Sequence, residues 1–381
     1  MEHIVDYLKK NKDISFKDKP LGAVDALILA QFCYMKWEGL IPELKDNNPE
    51  GISLLEMKEK MDPDYVFMDE RYSKDNILLW NEMISGKRYR NMTCNYFCDR
   101  MDEEIETQFC AFVVFPEDDI PVVLYRGTDE TILGWKEDFN MAFSKPVAGQ
   151  RLALLYLQQV SLRLGDRFHI CGHSKGGNFA VYAAMNVDKK TRDRIERIYD
   201  FDGPGFRPEV LKESHYNAIK SKLDKMIPQS SIVGMLLENH EDYSVVRSSS
   251  VGGVLQHNPF SWIVSGDEFS WEDDVKKSVR FKNDSLNKYV LGMDEEQIKL
   301  LGETVFDVIA DSDVDNLLEI IEDPTKYLPK MLKNAEKVES GKKEAFKEAG
   351  KTFYEQFVAE LKKFFGYQGQ KVNFLEKNVD K

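Results

Sequence analysis

The sequence predicts an α/β fold with a mostly parallel central sheet, and three observations carry that prediction. Short apolar runs rich in β-branched and aromatic residues recur between residues 109 and 247. Segments of helical periodicity alternate with them, and glycine, proline and acidic turns separate the two kinds. At 381 residues, with 42% hydrophobic and 31% charged side chains, the chain is long and apolar enough to bury a large core.

Residues 1–100 read as a mainly helical N-terminal region packed on that core. Val24 to Trp37 is apolar on most sides, and a second apolar helix spans about Lys74 to Ile84. The core, 101–285, opens with Phe109-Cys-Ala-Phe-Val-Val-Phe115 and Val122-Val-Leu-Tyr125. These two runs flank the turn Pro116-Glu-Asp-Asp119 and predict a hairpin or adjacent strands. Gly149 to Leu164 has helical spacing, stopped by Gly165-Asp166. Phe168-His-Ile-Cys171 is the next strand, Asn178 to Met185 a helix, Ile195 to Phe201 a strand and Tyr243 to Arg247 a last one. Residues 286–381 read as a charged helical C-terminal segment. In it Phe346, Phe353, Phe357, Leu361, Phe364 and Phe365 recur at helical spacing. An amphipathic helix laid on the main domain is the plain reading; a lid, or a helix facing a partner or a lipid surface, is the sharper one. There is no internal repeat and no low-complexity tract.

A formal charge of -14 disfavours nucleic acid and anionic membranes as partners, because both call for cationic footprints. The cysteines, Cys33, Cys94, Cys98, Cys110 and Cys171, are odd in number and read as reduced thiols. Cys94 and Cys98 find no second Cys pair or Cys/His cluster to complete a zinc set, so no metal and no cofactor are expected. The first residues lack the basic stretch and unbroken apolar run of a signal peptide, and no segment approaches the ~18 apolar residues of a membrane span. A cytoplasmic protein without a transmembrane segment is the expectation, with peripheral membrane contact left open.

The segment that carries chemistry is Gly172-His-Ser-Lys-Gly176, followed by Gly177. It fits G-x-S-x-G, the nucleophile elbow, in which a serine sits on a strained strand-to-helix turn that pushes its hydroxyl into the site. Residues two before and two after the serine pass close together, and glycine at both places avoids a clash. The following helix aims free N–H groups at a developing oxyanion. A bare G-x-S-x-G arises by chance in roughly one chain in ten of this length. Here an apolar strand ends at the first glycine and a small-residue helix begins at once, which favours Ser174 as a nucleophile over a structural turn. Lys175 stands where an apolar residue is more usual, and its backbone N–H remains available.

Upstream, Val122-Val-Leu-Tyr-Arg-Gly-Thr-Asp129 ends a strand in R-G-T, followed by Trp135 and Asp138-Phe139. With Gly172 to Gly177, and with Phe201-Asp-Gly-Pro-Gly-Phe206 beyond, this order of motifs resembles the class 3 lipases over residues 108–206. It more closely resembles a group of uncharacterised bacterial relatives carrying G-H-S-K-G-G and F-D-G-P-G, which bring no established substrate. The resemblance implies an α/β-hydrolase fold and an oxyanion hole made by Thr128 and the N–H of Lys175. Arg126 and Asp138 are expected to brace the loop by ion pairing.

In this fold the chain order is Ser, then Asp or Glu, then His. Order removes His3, His169 and His173 as the base, His173 being expected to pack or hydrogen-bond. His215 and His240 lie in polar, solvated stretches. His257 lies in a Gly-flexed, apolar-flanked loop, Gly252 to Trp262, and is the candidate base. The resemblance expects the acid after the strand beyond Phe201–Phe206, but Gln229-Ser-Ser-Ile-Val-Gly234 has serine there. Asp202, directly after the Ile195 to Phe201 strand, is the better candidate. Asp242 is second, and a dyad without an acid stays open. The expected activity is that of a serine esterase or lipase-like hydrolase acting on a lipid or small acyl ester. The same residues would serve a thioesterase or acyltransferase. A catalytically silent binding or regulatory module and a lipid-surface protein are the rival classes.

Overall fold

One nine-stranded sheet runs through the molecule. Its strands are β1 (Ile52–Ser53), β2 (Thr93–Asp102), β3 (Thr107–Phe115), β4 (Val122–Tyr125), β5 (Phe168–His173), β6 (Ile195–Phe201), β7 (Leu223–Pro228) and β8 (Ser244–Val246), with Trp271–Glu272 at the far edge. Spatial order follows chain order. Strands β4 to β8 are parallel. Strands β1 to β4 and the Trp271–Glu272 edge pair antiparallel, so the mostly parallel sheet expected from sequence is its centre. The computed structural model describes residues 1–276 except 47, 69–71, 130, 142–145 and 238–242, together with 279, 280, 283, 284, 287 and 291. The expected charged C-terminal helices, 286–381, lie outside the described residues apart from 287 and 291.

The hand of the connections decides where the helices go. Parallel strands added in one direction through right-handed crossovers leave every crossover helix on one face. Among the described residues, six α-helices precede these crossovers: α1 (Ile4–Asn11), α2 (Ala23–Phe32), α3 (Leu54–Lys60), α4 (Pro63–Val66), α5 (Ser73–Ser85) and α6 (Lys87–Arg90). The crossovers themselves carry α7 (Ile132–Asn140), α8 (Ala148–Ser161) and α9 (Lys175–Asn186). Alternate strand residues meet the crossover helices: Ala111 and Val113 of β3, Val123 and Tyr125 of β4, Phe168 and Ile170 of β5. The opposite face presents Phe112, Val114, Val122, Leu124, Cys171 and Phe201, and the N-terminal helices cover it. At ~2 kcal/mol for each large buried side chain, uncovering that face would forfeit on the order of 10 kcal/mol, comparable to the whole stability of a domain. The N-terminal layer is therefore part of the core. It is pinned by Asp25 of α2, which accepts from Arg88 at 2.7 and 2.9 Å, from Tyr7 at 3.1 Å and from Tyr89.

Three elements depart from the sequence reading. β2 is a ten-residue strand inside the stretch read as mainly helical. A bulge breaks its register between Asn95 and Cys98, with Tyr96 at φ 60°, so the alternation that marks a strand is interrupted. β7 escaped notice because Asp224 and Lys225 break its apolar run; Lys225 is buried against Asp200 at 3.0 Å. The apolar helix from Val24 also stops earlier than Trp37, at Phe32, whose carbonyl accepts from the Trp37 indole at 3.0 Å.

Candidate active site

Ser174 joins β5 to α9 with φ 58° and ψ −132°, a conformation that costs a residue bearing a Cβ about 1–3 kcal/mol. The turn is held from both sides. The Ser174 N–H donates to Phe201 O at 2.9 Å, and the Gly177 N–H donates to Ser174 O at 2.9 Å. A Cβ on Gly172 would fall on the backbone of Gly176, and one on Gly176 would fall on the Tyr125 carbonyl, so β4, β5 and α9 meet backbone to backbone here. The Ser174 side chain does not cap α9. It lies at the carboxyl end of the parallel strands, where open α/β sheets assemble their sites.

Asp202 follows β6 at φ 53° and is fully buried. Its N–H donates to Met226 O at 2.8 Å. Oδ1 accepts from Ser231 Oγ at 2.5 Å and from the Gly234 N–H at 3.1 Å, and Oδ2 lies 2.6 Å from His257 Nδ1. Ser231 belongs to the segment where the lipase resemblance expects the acid; here its hydroxyl holds the carboxyl of the neighbouring strand. With Nδ1 donating to Asp202, His257 keeps its lone pair on Nε2, the nitrogen a base would use. The His257 ring is 15% exposed.

The loop of His257 is tied down by its backbone as well. His173 Nε2 donates to the His257 carbonyl at 2.9 Å, and the two rings lie with centroids 4.5 Å apart at a 32° tilt. A carbonyl only accepts, so the proton is on Nε2 and Nδ1 accepts from the Tyr34 hydroxyl at 3.0 Å. Tyr34 stands just past α2, so the N-terminal layer reaches the site through a side chain that sequence reasoning missed. The Trp262 indole donates to Gln256 O at 2.9 Å, and the Gln256 carboxamide accepts from the Ser230 N–H at 2.8 Å, closing the loop from below.

On the other flank, Thr128 Oγ1 donates to Asp138 Oδ2 at 2.5 Å. Asp138 Oδ1 is buried and has no hydrogen-bond partner among the described residues. Burial pushes the Asp138 carboxyl up to about 6, against the pull of the Lys175 charge and the Thr128 hydrogen bond; Glu137 adds to the rise. The Lys175 side chain is fully buried. Its Nζ meets Glu137 Oε2 at 3.0 Å and Gln108 Oε1 at 3.2 Å.

Arg126 braces its segment by ion pairing, as the sequence reading expects, whereas Asp138 accepts from the Thr128 hydroxyl instead. Arg126 follows Leu124 on the face of the N-terminal helices and pairs with Asp99 at 2.9 Å and Glu38 at 3.5 Å, whereas α7 carries Asp138 on the opposite face. The remaining histidines are elsewhere. His3 bonds Ser249 at 3.0 Å at the surface, and His215 lies 3.3 Å from Asn186. His169 lies at the far end of β5, where burial lowers its imidazole to about 4. His240 and Asp242 lie outside the described residues, and Trp135 lies in α7. Among the described residues no group of three or more His, Cys, Asp or Glu could hold a metal ion, and no helix is long and apolar enough to cross a membrane.

A family model described as Mbeg1-like matches residues 83–307, a span that contains β2 to β8 with Ser174, Asp202 and His257. No curated protein matches the chain. Among solved structures, that of M37 lipase is similar at 15% identity over 55% of this chain and 68% of that one, with a TM-score of 0.33.

Proposed function

The chain belongs to the Mbeg1-like family, a lipase-like family, and on that premise we propose that it is a serine hydrolase cleaving an ester of a lipid or small acyl substrate. The observation that carries the proposal is the convergence of two strand ends and one loop. A strained serine follows β5, a buried carboxyl follows β6, and a histidine bonded to that carboxyl at 2.6 Å has its ring centroid 4.5 Å from that of His173, the residue before the serine. The turn is then a nucleophile elbow.

In this reading His257 Nε2 takes the Ser174 proton as Oγ attacks the acyl carbonyl. Asp202 keeps the imidazole in the required tautomer and steadies its positive charge. The backbone N–H groups of Lys175, at the start of α9, and of Thr128 face the oxyanion, while the Thr128 hydroxyl donates to Asp138 and fixes the loop. The C–O bond to the alcohol breaks, and His257 returns the proton to the leaving oxygen. Water, activated by the same imidazole, then releases the acid.

Labelling with a fluorophosphonate probe tests the proposal. Wild type is expected to label, Ser174→Ala not at all, and His257→Ala at a rate lower by about 10³-fold or more. A folded wild type that resists the probe would overturn the hydrolase reading in favour of a silent binding module. Oxygen and thiol esters of graded chain length, offered to a labelling-competent protein, would then separate esterase from thioesterase.

A further inference from the structure

We propose that the Lys175 and Glu137 side chains form a buried strut that sets the spacing of the two halves of the oxyanion site, which makes both of them positioning residues; this rests on the serine hydrolase reading above. One half, Thr128, stands on the loop between β4 and α7. The other, the N–H of residue 175, opens α9. They are far apart in sequence and belong to different elements; the backbone contact of Gly176 with Tyr125 brings those elements together, and side chains link the Thr128 loop to the start of α9 beyond it.

The side chains form a closed circuit. Lys175 Nζ reaches Glu137 Oε2 at 3.0 Å, Glu137 adjoins Asp138 in α7, and Asp138 Oδ2 accepts from Thr128 Oγ1 at 2.5 Å. A second path runs through Gln108, whose Oε1 accepts from Lys175 Nζ at 3.2 Å and from the N–H of Asp129, next to Thr128, at 3.4 Å. Glu137 is itself immobilised. Its Oε1 accepts from Thr107 Oγ1 at 2.5 Å and from the Gly149 N–H at 2.8 Å, and its Oε2 accepts from the Gln108 N–H at 3.0 Å. One carboxyl thus ties α7 to β3, α8 and the start of α9.

Stability alone does not explain a lysine here. A buried ion pair is commonly no more stabilising than apolar packing of the same volume, and an apolar residue would fill the space without a desolvation cost. What the pair adds is direction: charged hydrogen bonds of fixed length between two elements that each carry an oxyanion donor. Catalysis of this kind loses about 10²-fold for a misplacement near 1 Å.

The test compares Lys175→Met, Glu137→Gln and the double variant by three readouts: kinact and KI for a fluorophosphonate, melting temperature, and amide hydrogen exchange over residues 126–129 and 172–178. Lys175→Met leaves Glu137 buried and unpaired and should melt lowest, with the double variant recovering part of the loss. Labelling should not recover with it. kinact is expected to fall about 10- to 100-fold in all three, with KI within about twofold of wild type, and exchange at 126–129 should rise. A double variant that regains stability and labels at the wild-type rate would overturn the strut, as would unchanged exchange at 126–129. If wild type itself resists the probe, the hydrolase reading falls and the exchange measurement alone decides the strut.

Discussion

Replacing Asp138 by asparagine removes an ionisable group from a place where ionisation is costly, and the cost can be worked out from the site. The carboxyl is buried, accepts one hydrogen bond at 2.5 Å from Thr128, and leaves its second oxygen without a partner among the described residues. Burial raises it from 3.8 to about 6. A carboxyl raised on folding binds its proton more tightly in the folded chain, so the folded state is favoured at low pH and loses stability as pH rises from the unfolded value through the folded one. The full loss is about 3 kcal/mol, of which about 1 has gone by pH 4.5 and about 2 more goes between pH 4.5 and 8. Asparagine still accepts from Thr128 but places an NH2 group where the unpaired oxygen was, at a cost that does not depend on pH. The difference between Asp138→Asn and wild type should therefore shift by about 2 kcal/mol in favour of the variant on going from pH 4.5 to pH 8. Urea unfolding at the two pH values measures it. A difference that stays constant within about 0.5 kcal/mol would mean that Asp138 titrates like a solvated aspartate, and the account of its burial would be wrong.

Asp202→Asn keeps the shape of the acid but offers His257 Nδ1 a group that no longer holds the tautomer. Labelling of Ser174 should fall about 10³- to 10⁴-fold while the fold survives by circular dichroism, and a loss under tenfold would remove Asp202 from the mechanism. Tyr34→Phe deletes the hydroxyl that bonds His173 Nδ1 and the His173 carbonyl, and so loosens the ring whose Nε2 holds the His257 carbonyl. The probe rate should drop several-fold and the melting temperature by a few degrees, since a buried hydrogen bond contributes about 1 kcal/mol; wild-type values for both would show that the N-terminal layer does not steady the base loop. Gly176→Ala drives a Cβ into the Tyr125 carbonyl, and the variant should be insoluble or lose over ~3 kcal/mol in a thermal melt; near-wild-type stability would contradict the backbone contact described between β4 and α9.

Strands β3 to β6 and helices α8 and α9 were legible because each strand is a short, uninterrupted apolar run and both helices are periodic, whereas α7 was not read. Val122 to Tyr125 and Ile195 to Phe201 coincide with β4 and β6. What hid the rest was local chemistry overridden by tertiary partners. Tyr96 takes a left-handed backbone inside β2 and breaks the alternation, and Lys225 sits in β7 because Asp200 on the adjoining strand pairs with it. The site shows the same division. Ser174 announces itself by the glycines its turn requires, and Asp202 and His257 by their places after strands. Tyr34, Gln108 and Glu137 carry no motif. Their roles come from which face of the sheet each element covers, and that follows only once the crossover hand and the N-terminal layer are known.

The position of the proposed acid shows how one strand end can stand in for another. In parallel strands about 4.8 Å apart, the residue after β6 stands one strand nearer to Ser174 than the segment after β7, where the lipase resemblance expects the carboxyl. Moving the carboxyl to β6 requires Asp202 to adopt a left-handed backbone, a cost on the order of 1–2 kcal/mol. Three hydrogen bonds offset it: the Ser231 hydroxyl, the Gly234 N–H and the His257 ring all converge on the one carboxyl. Ser231, in the segment where the resemblance expects an acid, supports the proposed one, and the chain order Ser, acid, His is kept because β6 and β7 both precede the base loop. On the proposed reading, the serine at the expected acid position supports the acid and is no argument for a silent site. It is the residue that makes the neighbouring aspartate fit.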